Sequence, residues 1–191
     1  VPWIVSKNPA FTHKIPELLR LFPQARFVYL LRDPVETVAS RLRLIREIWR
    51  RRMKGFHEMT PRQVETIYAD SVRTYLAAEQ DLPQVPEDKR LVLPYTRLVE
   101  NPRRACEEVY HLLGLPSPGP DLAPRLAGLG RGETRRDEQS VSRSHPRARR
   151  PSERRLPYSL QEFGLTEERV RRELELVYAN HPELAGPGES E

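Results

Sequence analysis

Cysteine is almost absent from this chain: Cys106 is the only one in 191 residues, which excludes an intrachain disulfide and a thiolate metal cage. His57, His111, His145 and His181 show no paired spacing, so no metal is expected. No apolar run approaches the roughly 18 residues of a membrane span, and no basic-then-apolar leader opens the chain. No membrane partner and a cytoplasmic setting are the resulting expectations. A Gly-x-x-x-x-Gly-Lys-Ser/Thr loop is also missing, which counts against a nucleotide kinase. There is no internal repeat.

The residues present are 38% hydrophobic and 31% charged, with 19 prolines, a composition for one folded domain carrying long irregular stretches. Thirty-two basic and 27 acidic side chains leave a net charge of +5, which suits a small anionic ligand as well as nucleic acid. The arginines of 131–155 lack the interleaved aromatics of a nucleic-acid arm, so no nucleic-acid partner is expected.

Along the chain, Trp3 to Ser6 reads as a short buried strand. Ile15, Leu18, Leu19 and Phe22 recur at helical spacing, and Arg26 to Leu31 is an apolar run of strand length. Strand, helix, strand implies a βαβ unit and a parallel sheet. Asp33, Pro34 and Glu36 form the pattern of a capping box for the next helix, whose apolar residues are Val35, Val38, Leu42, Ile45 and Trp49. A further helix is predicted from Thr60-Pro61 towards Pro83, then a strand at Leu91-Val92-Leu93. Asn101-Pro102 opens another helix that stops at Gly114, and Thr166 caps the last one. The expected fold class is α/β, a parallel sheet flanked by helices. The segment 1–116 is the core, 117–157 a Pro/Gly/Arg-rich loop, and 158–185 a helical segment of the same domain. Because Trp3 already stands in a strand, the start of the fold is expected before Val1.

In an open α/β sheet, ligands sit beyond the C-terminal ends of strands, and Arg32 stands where a strand gives way to a helix. A guanidinium there can fork onto two phosphate oxygens. Ser40 lies about two helical turns past Asp33 and returns to nearly the same azimuth. The residues alone leave two readings open: an anion clamp, or an arginine paired with a neighbouring carboxylate beside a serine that is merely small.

Phe27-Val28-Tyr29-Leu30-Leu31-Arg32-Asp33-Pro34, followed by Ser40, resembles the 3′-phosphate-binding segment of PAPS-dependent sulfotransferases. Ser6-Lys7-Asn8-Pro9, Leu21-Phe22-Pro23-Gln24-Ala25-Arg26-Phe27, Tyr95 to Pro102 and Tyr158 to Leu165 are similar, in order, to further elements of the bacterial-type branch. The resemblance implies a P-loop-related sulfotransferase fold. The implied activity is transfer of a sulfuryl group from PAPS, the co-substrate, to a hydroxyl or amine on a small-molecule, glycan or peptide acceptor, with release of PAP and no metal. By the same resemblance Arg32 and Ser40 would bind the donor's 3′-phosphate.

Lys7 is the candidate cation near the transferring group, against a plain surface lysine. His13 is a candidate base, against an exposed or capping histidine. Phe11 fills the slot where relatives often carry His or Asn, and Thr96-Arg97 replaces Glu-Asp. The family's Gly-x-x-Arg-Ser-Gly-Thr-Thr phosphosulfate loop is not among these residues. That keeps open a non-catalytic sulfotransferase-like domain acting as an anion-binding or interaction module. The residues do not name the acceptor or an oligomeric state.

Overall fold

The chain direction changes at Asp33-Pro34. Pro34 lacks the N–H that a first helical turn leaves unpaired, and the Asp33 carboxylate accepts the Val35 N–H at 2.9 Å. In the computed structural model, which describes residues 4–119 and 159–184, this turn joins strand β1 (Phe27–Leu31) to helix α2 (Pro34–Arg52). Ahead of it come a 3-10 turn, Pro9–Lys14, and helix α1 (Ile15–Leu21). Helix α3 (Pro61–Asp81) follows, then strand β2 (Arg90–Pro94), α4 (Tyr95–Glu100) and α5 (Pro102–Leu112). The C-terminal part holds a 3-10 turn, Leu160–Phe163, and helices α6 (Glu167–Glu173) and α7 (Glu175–Asn180).

These elements form two compact units. The first contains 4–27, 32–90 and 159–184; the second contains 28–31 and 91–119 among the described residues. In the first, α2 packs on α3, α6 and the Leu160–Phe163 turn, while α3 also meets α7 and the Pro9–Lys14 turn. Val38, Leu42, Tyr68, Ala78, Val170, Leu174 and Val177 form its solvent-free core. Helix α3 begins with a reciprocal capping box: Thr60 Oγ1 accepts the Gln63 N–H at 3.3 Å, and Gln63 Oε1 accepts the Thr60 N–H at 2.8 Å.

The second unit holds the sheet, a parallel β1-β2 pair, apart from the strands' first residues, Phe27 and Arg90. Two helices link the strands, as a parallel crossover requires. Leu31, Leu93, Pro94, Ala105 and Leu112 are its buried residues among those described. The α/β expectation therefore holds. Helix α5 ends at Gly114, whose φ of +65° allows the Gly114 N–H to reach the His111 carbonyl and the Leu115 N–H the Tyr110 carbonyl. Gly164, at φ +70°, closes the Leu160–Phe163 turn with the same pair of bonds, and Leu160 and Leu165 are buried on either side.

Three expectations are corrected. Residues 4–6 form no strand: Ile4 and Val5 are 94% and 88% exposed, because no strand lies beside them among the described residues to pair their backbone. Phe22 falls outside α1 and is exposed rather than part of an apolar face. Glu36 does not close a capping box on Asp33, because its carboxylate is drawn to the Arg32 guanidinium instead. The expected loop at 117–157 lies, from residue 120, outside the described residues.

Two leucines of α2 separate burial from helix propensity, since Leu42 is fully buried and Leu44 is 60% exposed. Leu42→Ala should cost about 2–5 kcal/mol in urea unfolding. Leu44→Ala should stay within about 0.5 kcal/mol of the parent protein.

Candidate functional site: the turn after the first strand

Arg32 is the first residue beyond β1, and its position is set by its own carbonyl, which accepts a hydrogen bond from the Tyr75 hydroxyl at 2.8 Å. Tyr75 comes from α3 and is almost wholly buried; burial pushes its phenol up to about 12, so it remains a protonated donor at neutral pH. The same oxygen lies 2.9 Å from Thr37 Oγ1. A phenol has one proton and a carbonyl can only accept, so the Tyr75 proton goes to Arg32 and Thr37 donates to the phenol.

The Arg32 guanidinium is partly buried, and its Nε donates to Glu36 Oε2 at 3.0 Å. An incoming anion must share that guanidinium with Glu36 or displace it. Ser40 stands one turn beyond Glu36 on α2, half-buried, so Arg32, Glu36 and Ser40 follow one stripe at the start of the helix. Of the two readings left open for Arg32, the carboxylate pair is formed, and Ser40 lies along the same helical stripe.

His13 and Lys7 are placed differently. His13 Nε2 is 3.0 Å from Thr74 Oγ1, and that hydroxyl donates to the Asp70 carbonyl at 2.8 Å. Its proton being committed, Thr74 accepts from His13, which assigns the ring proton to Nε2 and leaves Nδ1 as the basic nitrogen. The contact ties the Pro9–Lys14 turn to α3 one residue before Tyr75. Lys7 lies in the exposed irregular stretch preceding that turn, and among the described residues no hydrogen bond or ion pair joins it to Arg32.

Sequence reasoning missed four participants. Tyr75 reads as one more apolar residue at helical spacing, and its hydroxyl gives no sign of its target. Tyr178, on α7, donates to Asp33 Oδ1 at 2.7 Å across 145 residues of chain. Arg41 and Asp70 pair between α2 and α3, and Arg41 also donates to the Ser71 hydroxyl at 3.0 Å. Only the i, i+4 spacing of Arg32 and Glu36 was visible as a pairing signal.

A cavity of about 360 Å³ opens elsewhere in the first unit, beside the start of α3. Its rim carboxylates are already neutralised, Glu58 by Arg50, Glu65 by Arg169 and Glu162 by Arg46. Arg50 and Arg169 are each shared with a second carboxylate, Glu47 and Glu173. Among the described residues no group of His, Cys, Asp and Glu is arranged to hold a metal ion, and no helix is long and apolar enough to cross a membrane.

Residues 1–119 match the model of the sulfotransferase family. The chain belongs to that family. Omega-hydroxy-beta-dihydromenaquinone-9 sulfotransferase Stf3 of Mycobacterium bovis and that of Mycobacterium tuberculosis are each 28% identical to it over 116 residues, covering 59% of this chain and 29% of theirs. The chain thus matches well under half the length of these relatives. A sulfotransferase domain from the curacin biosynthetic pathway shares 25% identity at a TM-score of 0.44, covering 62% of this chain and 40% of that one. Where the family resemblance expects Glu-Asp after the second strand, this sulfotransferase-family chain has Thr96-Arg97, and Arg97 Nη1 donates to Glu108 Oε2 of α5 at 3.1 Å. Arg97 thus pairs α4 with α5, and nothing in the structure explains Thr96.

The Arg41–Asp70 link gives a pH test of the packing behind the turn. The hydrogen bond from Arg41 lowers the Asp70 pKa, against the opposing effect of burial. A carboxyl depressed in the folded state adds stability above its unfolded pKa and loses it as pH falls through the folded value. Asp70→Asn should therefore lower Tm at pH 7. Thermal melts across pH should show the gap from the parent protein closing as pH drops below about 4.

Proposed function

We propose that this chain carries the 3′-phosphate-binding part of a sulfotransferase that moves a sulfuryl group from PAPS to a hydroxyl or amine acceptor and releases PAP. The observation that carries the reading is Arg32 at a strand's C-terminal end, held by its carbonyl to buried Tyr75 and aligned with Ser40 along α2. Family membership supports the reaction class, and the relatives' names contain the word sulfotransferase. The proposed setting is a P-loop-related α/β domain.

In this reading Arg32 and the Ser40 hydroxyl grip the phosphate that distinguishes PAPS from other adenylyl donors, with bonds strengthened by charge. The acceptor heteroatom attacks sulfur in line, its proton passes to a base, and the S–O bond to the bridging phosphate oxygen breaks. Lys7 would neutralise charge gathering on that leaving oxygen. If His13 takes the proton, Nδ1 is the atom that does so, since Nε2 faces Thr74. No metal takes part in this scheme.

The exposure of Lys7 favours a second reading, an anion-binding module without transfer activity. Thermal shift and turnover together separate the two. PAP should raise Tm, 5′-AMP should raise it much less, and Arg32→Ala should abolish the difference. Ser40→Ala should weaken PAP binding by about 10-fold, the loss of one hydrogen bond to a charged group. PAP binding without transfer of the sulfuryl group from PAPS to an acceptor would leave only the second reading. Equal shifts with PAP and 5′-AMP would overturn the 3′-phosphate assignment.

A further inference from the structure

Tyr178 lies on the short helix α7, yet its hydroxyl reaches the turn that presents Arg32, donating to Asp33 Oδ1 at 2.7 Å. The same carboxylate oxygen accepts the Val35 N–H at 2.9 Å, so one atom both starts α2 and receives the C-terminal segment. Burial, reinforced by the bond to Asp33, raises the Tyr178 phenol, which stays a donor throughout the physiological range. The guanidinium of Arg171 lies 5.1 Å from the centre of its ring.

The residues beneath Tyr178 are anchored as well. Val177 is fully buried, Asn180 Nδ2 donates to Glu79 Oε2 at 2.7 Å, and His181 Nε2 lies 3.0 Å from Glu79 Oε1 on α3. Tyr75 comes from the same α3 and holds the Arg32 carbonyl. The Arg32-Asp33 dipeptide is thus held by two phenols, one at the carbonyl of its first residue and one at the side chain of its second. Both phenols are carried on helices that are fastened to each other.

We infer that Tyr178 is a positioning residue for the anion grip at Arg32, which makes the C-terminal segment 159–184 a working part of that site. The inference rests on the reading of Arg32 as the 3′-phosphate anchor. With the turn held, the guanidinium is delivered to the phosphate in one orientation; without the Tyr178 bond, Asp33 keeps only its cap and the dipeptide gains freedom that binding must then remove. The effect should be specific to the phosphate on Arg32 rather than to nucleotide binding as a whole.

The test uses Tyr178→Phe, which keeps the ring and its stacking on Arg171, in the full chain, with PAP and 5′-AMP as titrants. The expected result is a rise of roughly 5- to 10-fold in the Kd for PAP, the scale of the ordering cost that binding must then meet. The Kd for 5′-AMP should stay unchanged. With PAPS, KM should rise by a similar factor and kcat should hold. In an Arg32→Lys background, which retains a point charge, Tyr178→Phe should have a much smaller effect on PAP, because the two residues act in series. An equal loss for PAP and 5′-AMP, or full additivity with Arg32→Lys, would overturn the positioning role. If Arg32→Lys weakens PAP binding and Tyr178→Phe does not, the inference fails while the 3′-phosphate reading stands. If Arg32→Lys leaves PAP binding intact, that reading fails first.

Discussion

One carboxylate oxygen governs the geometry of the turn after the first strand. Asp33 Oδ1 accepts a backbone N–H from the first turn of α2 and a phenol from α7, so the start of a 19-residue helix and the docking of the C-terminal segment share an atom. Such a shared acceptor couples local and long-range order. The helix can begin without Tyr178, but the direction in which the preceding residue offers its guanidinium depends on both bonds. Tyr75 supplies the second constraint at the Arg32 carbonyl, and its buried setting makes that hydrogen bond costly to leave unmade.

Around this turn the first unit places apolar packing and charge in separate roles. Val38, Leu42, Val170, Leu174 and Val177 exclude water and supply the favourable free energy of assembly. The guanidinium–carboxylate pairs lie nearer the surface, where screening leaves each a modest contribution to stability. Arg32 and Glu36 belong to that class; in the proposed reading the carboxylate holds the arginine in place and the donor's phosphate competes for it.

Much of this was readable from residue order. Pro and a polar cap marked the starts of α2, α3 and α5, a glycine marked the end of α5, and short apolar runs marked both strands, because each signal acts through the local backbone. Family membership was legible through ordered short motifs. Residues 4–6 misled because an apolar run becomes a strand only when another strand satisfies its backbone. Glu36 misled because a capping box and an i, i+4 pair compete for one carboxylate, and the charged partner prevailed. The two tyrosines were invisible for a different reason. Their hydrogen bonds span 43 and 145 residues, and no local pattern encodes a phenol's distant acceptor.

The exchange of partners at Arg32 is the central claim, and a crystal structure of the protein with PAP bound tests it most directly. The 3′-phosphate oxygens should lie within about 3 Å of the Arg32 guanidinium and of Ser40 Oγ, with Asp33 still holding Tyr178. A complex in which PAP binds with its 3′-phosphate away from both residues, and Arg32 remains on Glu36 as before, would contradict it.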